Sequence, residues 1–282
     1  LNLWLNGMCR TGIFSLIILM SLGLMGTAAA SQDYTRADCQ KLADSANSRF
    51  DARDFRFSAD IMEEAVTACE STTLPDDTVL LANLNKLSFT CYVIGEYERG
   101  ERWALRSLEI SDSSFGQNHI QFARSLTMVG LHAWSLERLD EAVKHYTRAI
   151  KIFDTQGDPD SEDIAKASHN LALVYWKLEE YDSARTRTRR AQEIWEKVKG
   201  PDFAHIGASL NLQGILSSEL GEHEEAEVAY SKALDLRERV LGPDHYQVAS
   251  SLNGLANLYL SLGFFDKAEP LIYRAHDIWM AS

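Results

Sequence analysis

Small and apolar residues recur along this chain at helical spacing, most clearly between Ala204 and His245. Leu210, Gly214 and Ser217 mark one face of a first helix, and Ala226, Tyr230, Ala233 and Leu236 one face of a second. Between them, Leu220-Gly221-Glu222 offers a tight turn, because glycine tolerates left-handed backbone. The segment closes on Gly242-Pro243-Asp244. Glycine ends a helix, proline cannot continue one, and aspartate can cap the next. The pattern predicts helix, turn, helix, stop.

The same pattern returns at a fixed interval. Pro159, Pro201 and Pro243 are evenly spaced (201 − 159 = 42 and 243 − 201 = 42). Ala226 falls in register with Ala268, Ala184, Ala142 and Gly100, and Ala233 with Ala275, Ala191, Ala149 and Ser107. Gly214 falls with Ala256, Ala172, Gly130 and Ser88. All are small, as two helices in close contact require. A fixed period of this length signals a stacked array of helical hairpins. Its units fall at about 35–73, 77–118, 119–160, 161–203, 204–245 and 246–282, within one domain at 31–282. Residues 35–73 form a divergent first unit, and no Gly/Ser-rich or Pro-rich linker separates a second domain.

These columns resemble the tetratricopeptide repeat, in the long-period form of kinesin light chains, with ASSLNGLANLYLSLGFFDKAEPLIYRA at 249–275 as the type of unit. The resemblance runs from about Asp33 to the end and is most specific from Phe122 onward. It implies an all-α solenoid, a right-handed superhelix whose first helices line a concave face.

The first thirty residues differ in kind. Arg10 precedes an apolar run from Ile13 to Met25, and Ala28-Ala29-Ala30 then offers small residues for cleavage. This reads as a secretory signal peptide at 1–30. The run is short for a membrane span, which needs about 20 apolar residues, so no stable span is expected after cleavage. The expected location is the bacterial periplasm or outside the cell. In that oxidising setting Cys39, near the start of one helix, and Cys69, near the end of its partner, would be neighbours in an antiparallel hairpin. They are either bridged or two buried thiols. A bridge would contribute roughly 3 kcal/mol to the weak first unit. Cys91 is expected to be buried and unpaired.

The formal net charge of −13 becomes −14 once Arg10 is removed with the leader. So acidic a surface disfavours nucleic acid and anionic lipid. No phosphate-binding GxxxxGK[ST], HExxH or GxSxG motif occurs. Histidines are scattered without metal-ligand spacing, and the acidic residues are dispersed over helix surfaces. No enzyme, cofactor or metal site is expected. The run Arg185, Arg187, Arg189 and Arg190 reads as a solvated face.

What remains is the groove that the resemblance implies. Carried over by register, its middle-turn positions are Asn85, Thr127, His169, Asn211 and Asn253. One turn on stand Phe89, Leu131, Leu173, Ile215 and Asn257, then Tyr92, Trp134, Trp176, Ser218 and Leu260. The asparagines can both donate to and accept from a peptide backbone; buried, each is either bonded within the array or free for a ligand. Tyr92, Trp134 and Trp176 form either an aromatic rail for a ligand or inter-unit packing. Arg124, Lys166 and Lys177 lie near the same face and could meet acidic side chains or a terminal carboxylate. The expected function is an exported scaffold holding a peptide or helix of a partner protein. The alternative is an architectural module using its ends and convex face. Leu271, Ile272, Ile278 and Trp279 in the last unit then suggest docking onto a partner or a second copy.

Overall fold

The computed structural model describes residues 34–72, 77–157 and 160–281. The leader read at 1–30 and the marker Pro159 lie outside the described residues. Twelve helices account for nearly all of the described chain: α1 (Arg36–Asp51), α2 (Phe55–Glu70), α3 (Asp77–Val93), α4 (Tyr97–Phe115), α5 (Ile120–Ser135), α6 (Leu139–Gln156), α7 (Glu162–Lys177), α8 (Tyr181–Lys199), α9 (Ala204–Glu219), α10 (His223–Leu241), α11 (Tyr246–Ser261) and α12 (Phe265–Ala281). Each odd-numbered helix packs most extensively on the even-numbered helix that follows, and each such hairpin stacks on the next. The fold is the expected all-α array of stacked hairpins.

One backbone device closes every hairpin. Arg53, Gly95, Glu137, Glu179, Gly221 and Gly263 all have left-handed backbone, with φ between 59° and 81°. Successive members are 42 residues apart (95 − 53 = 42, 137 − 95 = 42, and so on). The next residue then donates its N–H to a carbonyl five residues back, for example Glu96 to Cys91 and Glu222 to Ser217 at 2.9 and 2.8 Å. This is the Schellman closure, and it satisfies carbonyls that a helix end leaves unpaired. Three of the six positions lack glycine, so those side chains carry the left-handed strain.

Small residues let the helices meet. Ala142, Ala149, Ala184, Ala191, Ala226, Ala233 and Ala268 are fully buried. Aromatic rings use the gaps that glycines leave: a Cβ on Gly214 would lie 2.7 Å from the Tyr230 ring, and one on Gly130 would lie 3.1 Å from Tyr146. Gly100 replaces the alanine of its column because His132 fills that space, 2.1 Å from where a Cβ would stand.

The two faces of the array differ. Consecutive first helices touch directly, α3 on α5, α5 on α7, α7 on α9 and α9 on α11, whereas consecutive second helices form no such packed pair among the described residues. The first helices therefore lie on the inner side. Across the wider outer gaps run ion pairs: Arg99 with Glu63, Arg106 with Glu70, Arg138 with Glu101, Arg190 with Asp154, Arg185 with Glu222 and Arg274 with Glu238. Arg185 and Arg190 are thus not a plain solvated face: both tie their hairpin to a neighbour. Such half-exposed pairs contribute little each, ~0.2–1 kcal/mol.

At the first hairpin Cys39 and Cys69 are joined by a disulfide, with Cα atoms 5.2 Å apart. The Asn83 amide donates towards the Cys69 Sγ at 3.3 Å, bringing α3 onto the bridge. Cys91 is a buried free thiol, pushed up to about 11 by burial. At the other end Ile278 is buried and Leu271 partly so, while Phe265, Ile272, Tyr273, Trp279 and Met280 are exposed on α12.

Glu137 and Glu179 are exposed and hold left-handed backbone without glycine. Glu137→Gly and Glu179→Gly are each expected to raise stability by about 0.5–1 kcal/mol. Gly221→Ala should lower it by a similar amount. Denaturant midpoints at constant slope measure all three.

Candidate functional site

The first helices α3, α5 and α7 together wall a cavity of about 620 Å³. Its lining includes Asn85, Lys86, Phe89 and Tyr92 from α3, Arg124, Thr127, Met128 and Leu131 from α5, and Asp163, Lys166, His169 and Asn170 from α7. Phe153 and Trp195 reach it from the second helices α6 and α8, and His205 from the start of α9. Of the candidates read by register, Asn85, Phe89, Tyr92, Arg124, Thr127, Leu131, Lys166 and His169 come together here.

The others lie elsewhere. Trp134 is half-buried and packs on the central core with Leu171 and Phe153. Trp176 and Ile215 pack around Leu212 and Leu216. Neither tryptophan lines the cavity, because the ends of α5 and α7 meet the neighbouring hairpin there. Lys177 and Asn257 are exposed, and Asn253 is half-buried on α11. Asn211 is half-buried, with an Oδ1 that has no hydrogen-bond partner among the described residues.

At one end the cavity wall is aromatic. Phe89 stacks on Tyr92 at 5.9 Å and meets Phe50 at 6.1 Å. The Lys86 ammonium lies 3.7 Å from the centre of the Phe50 ring, a cation–π contact. Burial lowers its pKa, partly offset by Asp51. Asn85 Oδ1 accepts from the Ser107 hydroxyl at 2.8 Å, so half of its amide is committed within the array. Two of the expected ligand cations are also engaged: Arg124 donates to Asp163 at 2.9 Å, and Lys166 pairs with Glu162 at 2.7 Å. Even so, the lining carries Lys86, Arg124 and Lys166 against Asp163 alone. An acidic chain has a locally cationic groove.

At the other end the rings of His169 and His205 lie 5.5 and 5.3 Å from that of Trp195. His169 as a residue is half-buried, but its Nδ1 is shut away from water and has no partner among the described residues. Burial, then His205 and Arg237, push its pKa down to about 4. His132 is fully buried beneath Tyr92. The Ser88 hydroxyl donates to the Gly100 carbonyl at 3.0 Å, so it accepts from His132 Nε2 at 2.8 Å. That fixes the neutral tautomer, and burial lowers the His132 pKa as well.

Sequence reasoning missed Phe153, Trp195, Asp163, Lys86 and His205. Phe153 and Trp195 share one register (195 − 153 = 42), which marks them as equivalent. They sit on second helices, however, where the family pattern places no ligand contact. Among the described residues no group of three or more histidine, cysteine, aspartate or glutamate side chains is arranged to hold a metal ion. No helix among them is long and apolar enough to cross a membrane.

A family model described as tetratricopeptide repeat matches residues 78–155, 163–227 and 206–281. No curated protein sequence matches. Among solved structures the chain is similar to BtubC (BKLC) from P. vanneervenii, with 20% identity, 86% of this chain and 91% of that chain covered, and a TM-score of 0.62. It is similar to the nearly identical TPR-like repeats of a kinesin light chain-like protein from Podosopora anserina, with 16% identity, 71% and 94% covered, and a TM-score of 0.58. It is also similar to a Rap protein complexed with Competence and Sporulation Factor, with 15% identity, 85% and 74% covered, and a TM-score of 0.61. At these identities the likeness is one of fold.

The depressed histidines set an acid sensitivity. In the folded chain His169 stays neutral until about pH 4, whereas in the unfolded chain it takes up a proton near pH 6.5. Its stabilisation is complete above about pH 6.5 and falls as pH drops towards 4, by on the order of 3 kcal/mol in all. His132 and His205, also lowered, act in the same direction. Chemical denaturation at a series of pH values should show this slope, and His169→Gln should flatten it.

Proposed function

The chain belongs to the tetratricopeptide repeat family, and we propose that it is a non-enzymatic interaction scaffold whose inner groove holds a segment of a partner protein. One observation carries this reading: equivalent positions of three successive first helices, with two second-helix aromatics, converge on a single cavity of about 620 Å³. That volume lies within the usual range for ligand sites, ~300–1,000 Å³. Its chemistry suits a peptide. Phe89, Tyr92, Met128 and Leu131 offer apolar contact, the amide nitrogen of Asn85 can donate to a backbone carbonyl, and the surplus of cations favours an acidic segment. The complex of the Rap relative with its factor supports the same use of the fold.

The setting belongs to the proposal too. Arg10, the apolar run Ile13 to Met25 and Ala28 to Ala30 favour export, and a disulfide between Cys39 and Cys69 suits an oxidising compartment.

The exposed face of α12 favours a second reading, an array that docks through its last hairpin onto a second copy. Phe265, Tyr273 and Met280 are 66%, 63% and 75% exposed there, and large apolar patches mark contact sites. The opposite end is capped by a polar helix, with Arg36, Gln40, Lys41, Asp44 and Ser48 exposed on α1. Self-association would therefore join like ends.

Two measurements separate the readings. A photo-crosslinking residue at Met128 should capture a discrete partner, and Ala82→Trp should abolish that capture. Ala82 is exposed and lines the cavity, so the indole fills the groove without removing a core contact, and stability should change by no more than about 0.5 kcal/mol. Capture that persists in Ala82→Trp rules out the groove. For the second reading, sedimentation should show association that strengthens with concentration and is lost in Trp279→Glu; a monomer at every concentration rules it out.

A further inference from the structure

The second helices leave gaps on the outer side, and one gap holds a cavity of about 560 Å³ that shares no lining residue with the inner one. Its walls are α8 and α10, and its floor is α9. The neighbouring hairpins show why it is open. Ser217 on the floor takes the place of Tyr175 and Tyr259, one period away on either side (217 − 175 = 42 and 259 − 217 = 42). Ala229 on the α10 wall takes the place of Arg187 and Leu271. Gln213 stands where Leu171 and Leu255 are buried, and Gln192 where Ile150 is. The smaller and more polar choices thus coincide at one gap. The neighbours' residues would fill it and bury more apolar surface, so packing alone does not call for the opening.

The polar groups around the opening are under-used. Ser217 is 9% exposed, and its hydroxyl has no hydrogen-bond partner among the described residues. Gln213 Nε2 donates to Gln192 Oε1 at 2.6 Å and Gln192 Nε2 to Glu196 Oε1 at 2.7 Å, which leaves Gln213 a second N–H. The ladder of outer ion pairs also breaks here. Arg106, Arg190 and Arg274 pair with Glu70, Asp154 and Glu238, each a fixed step earlier (106 − 70 = 36, 190 − 154 = 36 and 274 − 238 = 36). Lys232 holds the same register, but its counterpart Glu196 (232 − 196 = 36) accepts from Gln192, and Lys232 makes no ion pair among the described residues. Nor does Arg189 on the facing wall. Towards the start of α10 stand Glu222, Glu224 and Glu225, of which Glu222 pairs with Arg185 and the other two are unpaired among the described residues.

We propose that this outer cavity is a binding site for a small zwitterion, of which a short free peptide is the type. Its ammonium sits at Glu224 and Glu225. Its carboxylate sits between Arg189 and Lys232, with the Ser217 hydroxyl and the spare Gln213 N–H as further donors. The lining carries three cations, Arg185, Arg189 and Lys232, and three carboxylates, Glu222, Glu224 and Glu225, so a ligand of zero net charge leaves none over. An anion alone would leave Glu224 and Glu225 unmet, and a cation alone would leave Arg189 and Lys232 unmet. The span is set by the helix. Glu225 and Lys232 are separated along α10 (232 − 225 = 7) by ~10 Å, which about three extended residues cover. Between the two ends, Leu210, Leu216 and Val228 offer apolar contact for a side chain. The volume lies within the range of small-ligand sites, ~300–1,000 Å³. The site stands independently of the inner groove.

Four probes test this on the full chain: Ala-Leu-Ala with both termini free, its N-acetyl form, its C-terminal amide, and glycine, whose two charges lie too close together to reach both ends. Binding is read from the side-chain amide resonances of Gln192 and Gln213. Free Ala-Leu-Ala should shift both. Blocking either terminus should weaken binding by ~2–5-fold, the worth of one half-exposed ion pair, and glycine should bind more weakly than either blocked form. A blocked form as tight as the free peptide overturns the zwitterion, and glycine as tight overturns the span. Arg189→Gln and Lys232→Gln should each weaken the free peptide by ~2–5-fold and leave the amide unchanged; equal weakening of both overturns the place given to the carboxylate. Ser217→Tyr restores the residue of the neighbouring hairpins, so it should fold, fill the cavity and abolish the shifts. Should it fail to fold, Ala229→Leu fills the same space with the residue found at Leu271. Binding that survives in a folded filling variant overturns the location. If free Ala-Leu-Ala shifts neither amide at about 10 mM, weaker than any useful affinity, the site is overturned and the inner groove is untouched by the result.

Discussion

How closely two helices can approach within a hairpin governs everything else in this molecule. The approach depends on alanines such as Ala142, Ala184, Ala226 and Ala268, which have no exposed surface at all. A larger side chain at any of them would push one helix off its partner, and in a stacked array the displacement would pass to the next hairpin. Close approach also creates small gaps, which the chain fills from elsewhere. Tyr146 occupies the space above Gly130, Tyr230 that above Gly214, and His132 that beside Gly100. Each filler is a large ring carrying a polar atom, so filling the gap also brings a hydrogen-bonding group into the contact. Burial accordingly holds the Tyr146 phenol protonated far above its ordinary range.

The features set by this approach were legible in the sequence, because each needs a specific residue type at a fixed spacing. The small columns, the glycine of the turn at Gly221, and the helical-hairpin order all follow from the repeat. The left-handed turn holds its register even where Arg53, Glu137 and Glu179 replace glycine. There the geometry comes from the rest of the hairpin, and single-residue propensity yields to it. The same register identified one wall of the cavity, through Asn85, Phe89, Tyr92, Thr127 and His169, because first-helix positions facing away from the small stripe must point inward.

What stayed hidden depends on contacts between hairpins, whose geometry a single period does not contain. Phe153 and Trp195 are large enough to reach past their own hairpin to the inner face. In sequence they read as ordinary core aromatics of a second helix. Trp134 and Trp176 show the converse: their register is that of a groove residue, but the next hairpin comes close enough to half-bury them. The charged residues behave likewise. Arg185 and Arg190 looked like part of a run on one helix, yet they reach Glu222 and Asp154 on opposite sides. These choices are made by pitch, and pitch emerges only when the units are stacked.

The unmet polar atoms are unevenly spread, with six of the eight on α7 to α10. His132 is as deeply buried as any described residue; Ser88 and the Gly100 carbonyl hold its Nε2 in one tautomer, while its Nδ1 has no partner among the described residues. That arrangement serves packing. Around α7 to α10, His169 Nδ1, Trp195 Nε1, Asn211 Oδ1 and Arg237 Nε have no partner among the described residues, and no carboxylate there pairs with the arginine. A leucine or phenylalanine at position 237 would continue the row begun by Phe153 and Trp195 and would avoid that cost, since apolar residues of similar volume often match or exceed a buried ionic group in stability. Stability alone therefore does not account for Arg237, or for the glycine at 207 that admits it.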